Sequence, residues 1–237
     1  ILYSELGILY EKVKAYPASL KIFNDALDLI QKTNKSEEYI ENTMILHINM
    51  GNVYKLTEKS KSAIESYKNC LKLCKKYPRF YQHEIISNIN LGQLYCSISE
   101  YEISIQVYKN ILPICKKSGS AMDLGFLYLL LAEAYLKSSN LIEYNKYIMT
   151  AEKLTLSASY PNDIIYLNNV LKEYCVISKQ YSKAIKILKK SIKLCNRYNM
   201  VRHLSGIYKS IYKIYEVLDD SSNIIKYMKL FIKHKEY

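Results

Sequence analysis

The chain of 237 residues has no tryptophan and is poor in the residues that interrupt helices, with only six glycines and four prolines. An all-β protein needs tight turns at short intervals, and glycine and proline are the residues that favour them. Their scarcity argues against an all-β fold and predicts long helices. Apolar residues make up 49% of the chain, which is sufficient for a packed interior.

The sequence also lacks an apolar run long enough to cross a bilayer, which needs about 20 residues. The longest nearly apolar run, 124–136, carries Glu133 and predicts a buried helix, so we expect no membrane insertion. No signal peptide opens the chain. Its first residue, Ile1, already lies within a helical pattern, and we therefore interpret the sequence as a fragment of a longer protein.

Catalytic and metal-binding signatures are missing as well. No histidine has a carboxylate at matching helical spacing, and no cysteine pair has the spacing of a zinc finger. No glycine-rich phosphate loop or nucleophile elbow occurs. We therefore expect no catalytic residue, no metal, no cofactor and no enzymatic activity.

The sequence does contain one helical hairpin that recurs six times. In most copies a small residue on the first helix is followed three residues later by a tyrosine. The residues at this second position are Tyr10, Tyr54, Tyr95, Tyr135, Cys175 and Tyr215, which lie 44, 41, 40, 40 and 40 residues apart. This regular spacing predicts six stacked pairs of helices.

Residue size within each copy explains the hairpin. Where two helices cross closely, a small residue is preferred, although glycine costs about 1 kcal/mol in a helix. In the second copy Gly51 and Tyr54 on the first helix are followed by Ala63 and Tyr67 on the second. The same order of small and large residues recurs in Gly7, Tyr10, Ser19 and Phe23, and in Gly92, Tyr95, Ser104 and Tyr108. Larger residues stand at small positions in the last three copies, namely Tyr144, Lys172, Tyr212 and Ile224.

Polar breaks such as Tyr16-Pro17 and Ser138-Ser139-Asn140 separate the two helices of a copy and supply turn and capping residues. Pro113 does not fit this pattern, because it falls inside the predicted second helix of the third copy. A proline in a helix interior removes a hydrogen bond and clashes with the preceding turn. We expect Pro113 to kink this helix or to end it early.

These residues resemble the tetratricopeptide repeat family, whose pattern is matched best by Leu6, Gly7, Tyr10 and Phe23 and by Gly51, Tyr54, Ala63 and Tyr67. The period of about 40 exceeds the usual 34, which is similar to the lengthened repeats of the Pins/LGN spindle adaptors, kinesin light chains and Rap-type peptide receptors. The resemblance implies an all-α, right-handed α-solenoid of about six helix-turn-helix repeats. The expected single domain covers 1–237, with repeats at approximately 1–35, 36–79, 80–119, 120–160, 161–199 and 200–237.

The resemblance further implies that the first helices line a concave groove that binds a protein or peptide partner. The residues expected to face that groove are Ile45, Ile48, Asn49, Asn52, Ile86, Ile89, Asn90, Gln93, Phe126, Leu129, Glu133, Tyr166, Asn169 and Glu173. An Asn or Gln amide can pair with both the N–H and the C=O of an extended peptide. The runs around Asn49 and Asn90 are similar to the Asn-Leu-Gly-Asn runs of the Pins/LGN class. The competing interpretation is that these amides belong to an ordinary polar surface.

Chaperone-tail recognition is disfavoured, because family members with that function need lysines where this chain has Ile48 and Phe126. The resemblance to Rap-type receptors leaves open a peptide-sensing regulatory receptor. In either case we expect a non-enzymatic interaction scaffold. The terminal hairpin carries Tyr227, Met228, Phe231 and Ile232, and we expect it to support self-association.

Acidic residues are in the minority, with 22 against 34 lysines and arginines, which gives a formal charge of +12. Part of the excess is typical of AT-rich codon usage. Lysines cluster on two second helices, at Lys59, Lys61, Lys68, Lys72, Lys75 and Lys76 and at Lys183, Lys186, Lys189, Lys190 and Lys193. They form either a solvated convex face or a surface for an acidic partner or nucleic acid. Arginine, the better phosphate-binding residue, is rare, which weakens the nucleic-acid alternative.

Three of the six cysteines, Cys74, Cys115 and Cys195, occupy the same place in three copies. Equivalent places in stacked repeats lie about 10 Å apart, beyond the reach of a disulfide. The cysteines are therefore expected to be small buried apolar residues, and the expected location is the reducing cytoplasm.

Overall fold

A computed structural model describes residues 2–32 and 37–235 of the chain. In these residues the regular structure is entirely helical, apart from a short 3-10 turn at Pro78–Phe80, and no strand occurs. Its α-helices are α1 (Leu2–Lys12), α2 (Tyr16–Lys32), α3 (Glu37–Leu56), α4 (Ser60–Lys76), α5 (Tyr81–Ser97), α6 (Tyr101–Ser118), α7 (Ala121–Lys137), α8 (Leu141–Ala158), α9 (Pro161–Ile177), α10 (Tyr181–Arg197), α11 (Val201–Val217) and α12 (Ser221–Lys233). The predicted all-α fold of paired helices is confirmed.

Two compact units divide the chain between Ser120 and Ala121, and each holds three helical hairpins. In the first unit the hairpins are α1–α2, α3–α4 and α5–α6; in the second they are α7–α8, α9–α10 and α11–α12. Within each unit a second helix also packs against the first helix of the next hairpin, as α4 does against α5 and α10 against α11. First helices touch as well, as α3 does with α5 and α7 with α9. The boundary predicted at 35–36 lies outside the described residues, and the single continuous domain stays a prediction.

The predicted alternation of small and large residues is visible at the helix crossings of the first unit. A Cβ atom added at Gly51 would lie 2.7 Å from Cζ of Tyr67 on the partner helix. Gly92 stands in the same relation to Tyr108, with a separation of 2.6 Å. Any side chain on the first helix would therefore overlap the ring that packs over it, and glycine is required for this close approach.

The small residue of the second helix has a further role that size alone does not predict. Ser19 Oγ donates a hydrogen bond of 2.7 Å to the carbonyl oxygen of Gly7. Ser104 Oγ donates an equivalent bond of 2.8 Å to the carbonyl oxygen of Gly92. Both serines are fully buried. The glycine thus brings the helices close enough for a hydroxyl on one to bond to the backbone of the other.

The turn inside each hairpin has a residue in the left-handed region of the backbone, although none of the six is a glycine. These residues are Lys14, Glu58, Ser99, Ser139, Lys179 and Asp219, with φ between 54° and 66°. Their spacing repeats that of the tyrosine position. Side-chain caps follow two of these turns, because Asn140 accepts a bond from the Glu143 amide and Asp220 from the Asn223 amide.

Two expectations for single helices have different outcomes. The early end predicted at Pro113 is wrong, since α6 continues to Ser118. Pro113 lies on the exposed side of the helix, where water can satisfy the backbone carbonyl left without a donor. The buried helix predicted at 124–136 is confirmed in α7, where Leu127 and Leu131 are 0% exposed. Among the described helices none combines the length and apolar character needed to cross a bilayer.

All six cysteines are free thiols in the interior, as predicted for small apolar residues. At the terminal hairpin the prediction of uncovered side chains is correct only in part. Met228 and Ile232 are exposed, but Tyr227 is buried and stacks on Tyr215 at 5.7 Å. Tyr227 is therefore part of the core, and self-association stays a prediction.

Candidate functional site

The first helices of the first unit, α3 and α5, carry eight of the residues predicted to face a partner. Six are half-buried, namely Ile45, Asn49, Asn52, Ile89, Asn90 and Gln93, and Ile86 is exposed. Ile48 is different, because it is only 7% exposed and packs with Met44 and Cys70 in the core. The prediction that Ile48 contacts a partner is wrong, since one face of α3 is covered by α4.

Asn52 is anchored to its own hairpin. Its side-chain oxygen accepts a hydrogen bond of 2.7 Å from the hydroxyl of Tyr67. Burial of that hydroxyl, with the nearby negative charge of Glu11, raises the pKa of Tyr67. The oxygen of Asn52 is therefore committed to the helix crossing, and its NH₂ group is what remains for a ligand.

Asn49, one turn earlier on α3, is in a different situation. Its Nδ2 atom is buried and has no hydrogen-bond partner within the described residues. An unpaired buried donor costs about 1–3 kcal/mol. Because this atom is enclosed, Asn49 does not present its NH₂ group at the surface of α3.

In the second unit, α7 and α9 place the remaining predicted residues. Phe126 packs edge-on against Tyr166, with ring centroids 5.4 Å apart. The Tyr166 hydroxyl donates to a carboxylate oxygen of Glu133, whose other oxygen lies 2.7 Å from Lys137 Nζ. The prediction for Leu129 is wrong: this side chain is 0% exposed, because α7 is covered on several sides within its unit.

A pocket of about 420 Å³ lies on the face formed by α7, α9 and α11. It brings together four predicted residues, Glu133, Tyr166, Asn169 and Glu173. The other lining residues are Ile165, Val170 and Lys172 from α9 and Arg202, His203, Gly206, Ile207 and Ser210 from α11. The pocket mixes an amide, carboxylates and cations with an apolar floor, a combination suited to the backbone and side chains of a peptide.

Sequence reasoning missed the residues on α11, although a signal for them existed. Adding the 40-residue period to Tyr166, Asn169 and Glu173 gives Gly206, Lys209 and Lys213. The predicted groove residues end at Glu173 in the fifth repeat, whereas the first helix of the last repeat also contributes to the pocket.

A second pocket, of about 600 Å³, lies beside the first and shares Lys172 and Ser210 with it. Its remaining lining consists of Val176, Tyr181, Lys209, Lys213, Ile214, Glu216 and Val217. Aliphatic side chains from α9 and α11 form its floor, while lysines surround it. The two pockets form a continuous depression along α11, which we call the α9–α11 groove.

The groove's carboxylates already have partners. Glu173 lies 3.8 Å from Lys172 Nζ, and Glu216 lies 2.8 Å from Lys213 Nζ. The bond to Glu216 raises the pKa of Lys213. Arg202 and Lys209 are exposed and have no ion-pair partner among the described residues. The groove therefore has two cations whose charge is not balanced locally.

The two lysine clusters lie on the exposed faces of the second helices α4 and α10, where the sequence predicted them. On α10 four lysines border a shallow depression of about 430 Å³ together with Ser182 and Ile185; they are Lys186, Lys189, Lys190 and Lys193. This surface is electropositive and has few hydrogen-bond acceptors. It is suited to an acidic partner more than to a small molecule.

No cluster of three metal-ligating side chains occurs in the described part of the chain. Cys70 and Cys74 have their sulfur atoms 3.9 Å apart, but both are buried in the core. Burial, followed by the charge of Lys72, lowers the pKa of His47, which favours its neutral form.

No protein-family model matches the sequence, and neither does any curated protein. Solved structures do match over nearly the whole chain. Aspartyl phosphate phosphatase F from Bacillus subtilis superposes with a TM-score of 0.73 at 16% identity, over 99% of this chain and 59% of that one. A Rap protein complexed with competence and sporulation factor gives 0.72 at 14% identity, over 99% and 68%.

A kinesin light chain of Podosopora anserina, with nearly identical TPR-like repeats, superposes with a TM-score of 0.61 at 12% identity. The match covers 84% of this chain and 95% of that one. At such identities the likeness shows the fold. The chain thus has the fold of TPR-like helical repeats, as its sequence pattern predicted.

Proposed function

We propose that this chain is a non-enzymatic scaffold that binds a peptide segment of a partner protein along the faces of its first helices. The observation that carries the proposal is the pocket lined by Glu133, Tyr166, Asn169 and Glu173. Four side chains chosen from the sequence for peptide binding line one pocket there. The similar Rap protein complexed with competence and sporulation factor supports the proposal, since the same fold accommodates a ligand in that complex.

Amide side chains are the groups proposed to hydrogen-bond to the peptide backbone. Asn169 is half-buried in the pocket, with Tyr166 and Glu173 beside it on α9. Its NH₂ group donates to a peptide carbonyl while its oxygen accepts from a peptide N–H, whatever the peptide side chains are. Asn90 and Gln93 provide the same chemistry on the first unit. Each such bond contributes about 1 kcal/mol, so several amides are needed to fix the peptide's direction.

The absence of enzymatic activity is part of the proposal. One similar protein is named a phosphatase, but its fold is the only property that 16% identity transfers. The one closely spaced thiol pair lies in the core. A peptide-sensing regulatory receptor is a form of the same proposal, in which peptide binding alters a partner contact.

The proposal is tested with heptapeptides selected on the chain from a random bead library. Fluorescence anisotropy then compares wild type with Asn169→Ala. Loss of about 1 kcal/mol corresponds to a fivefold weaker affinity. Asn196→Ala removes an exposed amide of α10 outside the pocket; it is the matched control and should bind as wild type does. Unchanged affinity in Asn169→Ala would contradict the groove model.

The lysine-bordered depression on α10 supports a second candidate, binding of an acidic partner or nucleic acid. Its four lysines lie on one helix face with no acid between them. Counterion release predicts that such binding weakens steeply with salt. A salt titration with labelled single-stranded RNA tests it, and Lys186→Gln with Lys190→Gln should reduce the slope. Binding that is absent, or independent of salt, eliminates this candidate.

A further inference from the structure

One face of α11 has an unusual run of residues. Arg202, Gly206, Lys209 and Lys213 are separated by four, three and four positions, so they share a side of the helix. All four border the α9–α11 groove. The groove is thus bounded on one side by a row of cations with a glycine between the first and the second.

Among the described residues, some charged side chains of the groove have ion-pair partners and others have none. Glu133, Glu173 and Glu216 each have a lysine within 4 Å, so these acids do not neutralise further cations. Arg202 and Lys209 remain without ion-pair partners in the described part of the chain. Seven residues separate them, which corresponds to about 10 Å along the helix axis. Two positive charges at this spacing define a preference for a ligand with two negative charges.

Gly206 has no packing reason to be glycine. A Cβ atom added there would have no heavy atom within 4 Å, in contrast to the glycines of the first unit. Gly206 lies in the interior of α11, where glycine is unfavourable relative to alanine. Its effect is to leave the helix backbone bare between the two cations, so that an extended chain can approach closely there.

The neighbouring end of the groove is apolar. Val176 and Ile214 form its floor and the exposed Val217 lies at its edge. Lys172 lies between the two ends with its side chain only 16% exposed. Lysine stands at this position where the first three hairpins have glycine. The stem of Lys172 therefore packs within the unit while its ammonium group borders both pockets.

From these observations we infer that the α9–α11 groove selects an extended acidic peptide segment with an aliphatic side chain next to its acidic residues. Two carboxylates pair with Arg202 and Lys209, the peptide backbone crosses Gly206, and the aliphatic side chain enters the floor near Ile214. The inference rests on the proposed function and specifies its ligand. The groove runs from Arg202 to Val217, about 22 Å, which accommodates six or seven extended residues.

The spacing of the acidic residues follows from strand geometry. Side chains on the same side of an extended peptide recur about every 7 Å. Acids two to four positions apart therefore lie about 7–13 Å from each other, which brackets the separation of the two cations. Arginine and lysine side chains are long enough to accommodate the remaining difference.

The test uses fluorescein-labelled heptapeptide pools with Glu at positions two and four and Leu at six, the other positions being randomised. A matched pool has Gln in place of Glu. Fluorescence anisotropy should show at least tenfold tighter binding of the Glu pool to the wild-type chain. Arg202→Gln and Lys209→Gln should each weaken binding of the Glu pool at least fivefold and leave the Gln pool unaffected. Both residues are exposed, so these variants should fold as wild type does, which circular dichroism checks.

Controls separate selective from general attraction. Lys229→Gln removes the same charge from an exposed site on α12 and should leave affinity for the Glu pool unchanged. Gly206→Leu should weaken both pools, because it fills the space that the backbone needs. Equal loss in the Lys229 control would overturn the inference, since attraction would then follow net charge alone.

Two further outcomes distinguish the inference from the proposed function. Equal binding of both pools, together with weaker binding in Asn169→Ala, refutes acidic selection and leaves the peptide-binding scaffold standing. Failure of both pools, together with failure of random-library peptides to bind, refutes both proposals.

Discussion

The sharpest test of the fold compares one substitution at two glycines with opposite surroundings. Gly51→Ala places a methyl group 2.7 Å from Cζ of Tyr67. Carbon atoms in contact are normally about 3.5–4.0 Å apart, so the ring and the helix must separate by about 1 Å. The ring of Tyr67 cannot easily move away, because it is 0% exposed and its hydroxyl donates a hydrogen bond to Asn52.

The magnitude follows from two opposing effects. Overpacking a core by this amount costs about 2–3 kcal/mol, the upper part of the usual range. Alanine is about 1 kcal/mol more favourable than glycine in a helix. Gly51→Ala should therefore lower the free energy of unfolding by about 1–2 kcal/mol. Gly206→Ala has nothing within 4 Å of the new atom and should raise it by about 0.5–1 kcal/mol.

Urea unfolding followed by far-ultraviolet circular dichroism measures both changes. A double variant with Tyr67→Leu provides a check on the cause, because removing the ring removes the overlap. The cost of Gly51→Ala should then fall by at least about 1 kcal/mol relative to the wild-type background. A stabilised Gly51→Ala variant, or two glycine variants of equal effect, would refute the reasoning.

Two shorter predictions concern the buried hydroxyl of Ser104 and the pH dependence of stability. Ser104→Ala should lower the free energy of unfolding by about 1 kcal/mol, since the bond to the Gly92 carbonyl is lost; Ser182→Ala, on an exposed site, should have no measurable effect in the same urea assay. Burial lowers the pKa of His47, so its stabilising effect is present above its ordinary pKa of 6.5 and is lost as pH falls below that value. The urea midpoint should therefore decline between pH 7.5 and 5 in wild type and decline less in His47→Gln.

Much of the fold could be predicted because the sequence repeats itself. The 40-residue spacing and the glycine–ring pairing of Gly51 with Tyr67 define where the helices cross, and the structure has the crossings at those residues. The hydrogen bond from Ser104 to the Gly92 carbonyl could not be predicted, because alanine at the same position in the second hairpin satisfies the size rule equally well. The early helix end predicted at Pro113 is wrong for another reason: Tyr108 and Cys115 mark the buried side of α6, and Pro113 lies away from it, where the lost hydrogen bond is tolerated.

The types of residue in the candidate site could be predicted from the sequence, but the burial of each residue could not. The repeat positions taken from the resembling family identify the helix face on which a residue lies. They do not say how much of that face neighbouring helices cover. Ile48 and Leu129 were assigned to the groove and lie in the core, whereas Ile89 at the same place in the third hairpin is half-buried. Asn52 was assigned as a free amide, although its oxygen accepts a bond from Tyr67. The burial of a residue depends on packing between neighbouring hairpins, and the sequence of one repeat does not contain that information.

The departures from the repeat pattern and the proposed groove have one physical cause. Glycine is required on a first helix where the second helix carries an aromatic ring, as at Phe23, Tyr67 and Tyr108. In the fifth hairpin the corresponding residue is Leu188, so α9 no longer needs a glycine and can hold Lys172. That change places a cation between the two pockets of the groove. Losing the ring at one crossing thus frees a buried position to contribute charge to the binding face.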